Sequence, residues 1–107
     1  MLNARPRLRK PTHPGGLLKR HHMDPLGLTV TELAHRVGVS RKTISKIVNE
    51  NGAITADMAL RLAMAFNTTP ELWLNLQNAV DIWEARQSEE WKKVQPIPQE
   101  PRLPTTR

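Results

Sequence analysis

The sequence predicts an all-α fold, a compact domain of five helices with a flexible segment at either end. Three observations carry that expectation. Apolar residues recur three and four apart along most of residues 14–94, the spacing of one helix face. Four of the apolar stripes begin at a hydroxyl residue (Thr29, Ser40, Thr55, Thr69), the residue type that caps the free N–H groups of a first turn. Glycine, asparagine or proline punctuates the intervals between stripes. A chain of 107 residues buries about two-thirds of its extended surface, so one domain with a modest core is expected.

Residues 1–13 hold Arg5, Arg7, Arg9 and Lys10 among prolines with no apolar period, and read as a flexible basic arm. The helical domain then spans residues 14–94. Pro14 suits the first turn of a helix carrying Leu17 and Leu18, and Asp24-Pro25 marks its end, because the residue before a proline is pushed away from helical angles. Gly27 makes the link to Thr29.

The stretch from Thr29 to Asn49 reads as two short helices joined by a tight turn, a helix-turn-helix of the DNA-binding kind. Thr29 and Glu32 form a capping box, and Leu33 and Val37 share one face with the small Ala34 beside it. Gly38 supplies the left-handed residue that ends the first of these helices, and Val39 tucks under the turn. Ser40 opens the second, in which Ile44, Ile47 and Val48 make the inward stripe. Ser40, Arg41, Lys42, Thr43, Ser45, Lys46 and Asn49 are left as the candidate DNA-binding residues. Arg41, Lys42 and Lys46 are expected to reach base edges, and Ser40, Thr43 and Asn49 to hold phosphates.

Glu50-Asn51-Gly52 is a turn signal, after which Thr55 caps a fourth helix with Met58, Ala59, Leu62, Ala63 and Phe66 on its core face. Asn67-Thr68 is a second break, Thr69 a cap and Pro70 a first helical residue, so a fifth helix is expected from Pro70 to about Lys93. Its stripe of Leu72, Trp73, Leu76, Val80 and Trp83 outlasts a small core. Leu76, Val80 and Trp83 are therefore the candidate dimer interface, since twofold proteins of this kind must hold two recognition helices about 34 Å apart. Four prolines, at 96, 98, 101 and 104, make residues 95–107 a Pro-rich flexible tail.

The net charge of +6 is unevenly placed. Residues 1–53 hold ten Lys/Arg against three acids, +7, and residues 54–107 hold six against seven, −1. The basic half contains the helix-turn-helix, which favours a polyanion as its partner. With no cysteine, disulfides, thiolate metal sites and cysteine nucleophiles are excluded. The four histidines are too scattered for a metal site, no cofactor is expected, and HExxH, GxSxG and P-loop patterns are absent, so the chain does not read as an enzyme. No apolar run is long enough to span a bilayer, and the expected setting is the bacterial cytoplasm, at the nucleoid, with no membrane partner.

Several strings resemble the HigA-type (VapI-like) antitoxins within the Xre/Cro-like helix-turn-helix group. They are His13-Pro14-Gly15, Pro25-Leu26-Gly27-Leu28, the run from Ile54 to Leu62, and above all Pro70-Glu71-Leu72-Trp73-Leu74-Asn75-Leu76-Gln77. Gly16 and Glu50-Asn51-Gly52 depart from the family pattern, which often has glutamate at the first place and a basic turn at the second. The resemblance implies a lambda-repressor-like fold and a homodimer on double-stranded operator DNA that represses its own operon. It also implies neutralisation of a cognate RelE-like (HigB-type) mRNA-cleaving toxin. A stand-alone Xre-family transcriptional regulator without a toxin is the alternative.

Overall fold

The computed structural model describes residues 9–101. The greater part of the expected arm, residues 1–8, and the end of the tail, residues 102–107, lie outside the described residues. Five helices follow in order: α1 Pro14–Leu17, α2 Val30–Val37, α3 Arg41–Val48, α4 Ala56–Phe66 and α5 Pro70–Arg86.

Residues 10, 11 and 13, expected within the flexible arm, are engaged with the domain. Pro11 is buried, and His13 is the N-cap of α1, its Nδ1 accepting the Gly15 N–H at 3.0 Å. Lys10 pairs with Glu84 of α5 at 3.6 Å. Beyond α1 the chain stays helical past the expected stop at Asp24-Pro25, widening into a π-turn over Leu18–Met23 and tightening to a 3-10 turn over Asp24–Leu26. Pro25 is tolerated because it sits where an opening turn has no use for its missing N–H. Gly27, at φ 64°, ends the segment. Gly15 matters for close approach rather than for its backbone angles. A Cβ there would overlap the Ile47 carbonyl oxygen, so the absence of a side chain lets α1 lie against the end of α3.

The core joins Leu18 and Met23 from the first segment, Leu33 and Ala34 from α2, Ile44 and Ile47 from α3, Leu62 from α4 and Trp73 from α5. A fully buried side chain of this size contributes about 1.5–3 kcal/mol. Trp73 is wholly buried and its indole N–H donates to Thr68 Oγ1 at 2.9 Å, which removes the cost of burying that donor. His22 lies against both Trp73 and Phe66, with ring centroids 5.1 and 5.0 Å away. Gln77 is the buried polar link: its Oε1 accepts the Ile54 N–H at 2.8 Å while its Nε2 donates to Asp81 at 2.9 Å, tying α5 to the link before α4.

Two expectations for α5 need correction. It ends at Arg86 rather than near Lys93. The chain turns at Gln87 and Ser88, the Ser88 hydroxyl accepts the Glu90 N–H, and a separate 3-10 turn covers Glu90–Lys93. Val80 is only 1% exposed in the single chain, so the apolar stripe does not outlast the core at that point and Val80 has no surface left for a dimer partner.

Candidate nucleic-acid interface

α2 and α3 are each fixed at both ends by their own sequence. Glu32 N–H donates to Thr29 Oγ1 at 3.0 Å, and the Thr29 N–H donates to Glu32 Oε1 at 2.9 Å, the expected capping box. The hydrogen bond from the Thr29 backbone, reinforced by Arg36, holds the Glu32 carboxyl below its ordinary 4.5. At the far end Gly38 sits at φ 75°, its N–H donating to His35 O and the Val39 N–H to Ala34 O. These two bonds make a Schellman closure.

Ser40 caps α3, its Oγ accepting the Thr43 N–H at 3.1 Å and sharing a 2.8 Å hydrogen bond with Thr43 Oγ1. The end of α3 is closed by the same pattern as α2, with Glu50 N–H to Ile47 O and Asn51 N–H to Lys46 O. Here the left-handed residue is Glu50, at φ 63°.

With Ile44, Ile47 and Val48 buried, the opposite side of α3 faces solvent. Arg41, Lys42, Ser45, Lys46 and Asn49 line one shallow concavity of about 360 Å³, and Asn51 completes it. The structure therefore brings together five of the seven candidate residues. Ser40 and Thr43 stand outside the concavity, their hydroxyls engaged in the cap. Asn51 escapes sequence reasoning because it reads only as part of a turn signal; its place follows from the Schellman closure, which carries the residue after the left-handed one back beside Lys46. Arg41, Lys42 and Lys46 are exposed and make no ion pair among the described residues. Three unneutralised cations beside amide and hydroxyl groups on one helix face are a surface for phosphates and base edges.

Arg61 is a second residue whose place sequence spacing does not reveal. Its guanidinium donates to the Val37 carbonyl at 2.6 Å and to Asp57 at 2.7 Å, so α4 grips the turn between α2 and α3. Among the described residues no three His, Cys, Asp or Glu side chains come together as a metal site, and no helix is long and apolar enough to cross a membrane.

This is a helix-turn-helix domain, and the helix-turn-helix family model matches residues 21–73. The chain belongs to the HigA-type (VapI-like) antitoxin family within that group. It is 44% identical to Antitoxin HigA-1 of Vibrio cholerae over 91 residues, covering 83% of this chain and 86% of that one. The uncharacterised HTH-type transcriptional regulator YbaQ of Escherichia coli K12 is 49% identical over 76 residues, 71% of this chain and 67% of the relative. The structure of antitoxin GraA in complex with its operator superposes with a TM-score of 0.78 at 38% identity, over 89% of this chain and 98% of the other.

Proposed function

We propose that the protein binds double-stranded operator DNA as a homodimer, represses its own operon and neutralises a RelE-like, HigB-type toxin. The observation that carries the DNA reading is the concavity on α3, with its three unpaired cations, in a fold shared with an antitoxin named as bound to its operator. In this reading α3 enters the major groove. Arg41, Lys42 and Lys46 reach base edges, Ser45 lies between them, and Asn49 with Asn51 meets the backbone as the helix leaves the groove. Ser40 and Thr43 contact phosphate at the other flank without giving up their cap.

The dimer is assigned to α5 with a revised surface. Leu72, Leu76, Ala79 and Trp83 recur at i, i+4, i+7 and i+11, each partly exposed, and Ile82, 52% exposed, borders them. Leu76 and Trp83 thus stay in the assignment and Val80 leaves it. The toxin reading rests on the relative named HigA-1. YbaQ is named only as a transcriptional regulator; the second reading is a regulator without a toxin, and a neighbouring gene for a RelE-like protein separates the two.

Titration of the chain's own promoter fragment tests the reading. Arg41→Ala and Lys46→Ala are expected to cost about 1–3 kcal/mol of binding each, with relaxed preference at single base positions for Arg41. Unchanged affinity in both would remove α3 as the reading element. Sedimentation of Ile82→Glu and Trp83→Ala checks the dimer: variants still dimeric at micromolar concentration would remove α5 as the interface.

A further inference from the structure

Glu50 follows α3 at φ 63° and stands between Asn49 and Asn51, which line the basic concavity, yet Glu50 is not part of that lining. Its carboxylate turns the other way, toward the first helix. Gly16 of α1 is buried, and a Cβ on it would lie 2.7 Å from Glu50 Oε2 and 2.9 and 3.3 Å from the two Nη atoms of Arg20. The place of a side chain at residue 16 is thus filled by a carboxylate from the end of α3 and a guanidinium from the first segment. Arg20 and Glu50 are both exposed, and neither makes an ion pair among the described residues. Opposite charges on either side of one bare Cα attract, and because no contact closes between them the guanidinium keeps its donors for another oxyanion.

An acid flanked by Asn49 and Asn51, where α3 is taken to leave the groove, would by itself repel the phosphates those amides meet. Beside the charge of Arg20 that repulsion is offset. A guanidinium presents five donors in a planar fork, so it can face a carboxylate with one edge and serve a phosphate with another. Arg20 comes from outside the helix-turn-helix and does not line the concavity on the exposed side of α3, so the group that suits it is the sugar-phosphate backbone and not a base edge. We infer, on the strength of the DNA reading above, that Arg20 contacts a phosphate at the C-terminal flank of α3. Glu50 is the positioning residue, holding that guanidinium in place across Gly16.

Titration of the chain's own promoter fragment at several salt concentrations tests this with Arg20→Ala, Arg20→Lys, Glu50→Gln and Gly16→Ala. Arg20→Ala should weaken binding about tenfold on any sequence and lower the salt slope by about one per half-site, as loss of one phosphate contact requires. Arg20→Lys should restore most of both. In a Glu50→Gln background the cost of Arg20→Ala should shrink to about twofold, because a guanidinium no longer held has already lost most of its contact. Gly16→Ala should not lower the melting temperature, since alanine suits a helix better and the atoms it displaces end flexible side chains, yet it should weaken binding about fivefold. An unchanged salt slope in Arg20→Ala, with Arg41→Ala and Lys46→Ala still losing affinity, would overturn the inference and leave the DNA reading standing. An Arg20→Ala cost equal in both backgrounds would overturn the role of Glu50. Full affinity in all three cation variants would overturn the DNA reading and this inference with it.

Discussion

α2 and α3 are helices of equal length in one motif, each opened by a hydroxyl cap and closed by a Schellman turn, yet their first turns carry opposite charge. α2 has Glu32 in its first turn and His35 and Arg36 in its last, as the helix dipole favours. α3 begins with Arg41 and Lys42, against the dipole, has Lys46 in its last turn, with it, and is followed by Glu50. α2 ends on a glycine at φ 75°, whereas α3 puts a glutamate at φ 63°, where a Cβ is strained. α2 is built for its own stability. α3 gives up local stability in its first turn and at the left-handed Glu50 that closes it, and the cations at its start are those a polyanion would engage. Departures from local rules tend to gather at functional sites, and here they gather on the helix that lines the basic concavity.

The largest effect expected from this comparison is at the α2 turn. Gly38→Val forces a β-branched side chain to positive φ, where the new Cβ would also lie about 3.1 Å from an Arg61 guanidinium nitrogen. Strain of this kind costs about 1–3 kcal/mol, a large share of the roughly 5–15 kcal/mol that holds a small domain. Urea unfolding measures it, and a midpoint equal to wild type would mean that the two turns do not differ in their need for glycine. At the matching position of α3 the sign reverses. Glu50→Gly should stabilise by about 1 kcal/mol, since it relieves a left-handed non-glycine residue and removes an acid from the negative end of the helix.

Much of this is legible in the sequence, because caps and stripes are local. Thr29, Ser40, Thr55 and Thr69 all cap the helices they are expected to open, and the buried faces of α2, α3 and α4 follow their spacing. What is not legible depends on residues distant in the chain. Glu50-Asn51-Gly52 announces a turn, but the left-handed residue is Glu50, two positions before the glycine a local reading prefers. His13 looks like part of an arm, and only the packing of the first segment makes it a cap. The burial of Val80 cannot be read from a stripe that shows which residues share a face and not how far the core reaches. Arg61 grips the turn from 24 residues away, a link with no trace in local spacing.

A smaller effect joins stability to function on α3. Arg41→Glu with Lys42→Glu replaces two cations in the first turn by the charges the dipole favours, about 0.3–1 kcal/mol each on a surface helix. The double variant should unfold at higher urea concentration than wild type while losing affinity for the promoter fragment by well over tenfold. If it bound less tightly and were also less stable, the cationic first turn of α3 would be part of the fold and not a concession to a partner.

The smallest expected effect is in the response to acid, and it separates α2 from the rest of the core. Among the described residues two groups have lowered values: His22, chiefly through burial and then through His21, below 6.5, and Glu32, chiefly through the Thr29 backbone, below 4.5. In both cases the unfolded chain takes up its proton first, so stability falls with falling pH, but in different windows. His22 lowers stability as pH falls through 6.5, because the charged ring is less welcome beside Phe66 and Trp73 than in water. Glu32 contributes stability above 4.5 that is lost as pH falls further, when its carboxylate is protonated and the box at the start of α2 weakens. Thermal melts of His22→Gln should flatten the step near pH 6.5 and leave the lower one, and Glu32→Gln should do the opposite. α3 has a hydroxyl cap with no carboxylate partner, so Ser40→Ala should lower stability by about 1 kcal/mol equally at every pH. A Ser40→Ala cost that changed through either window would show that the ends of α2 and α3 are coupled.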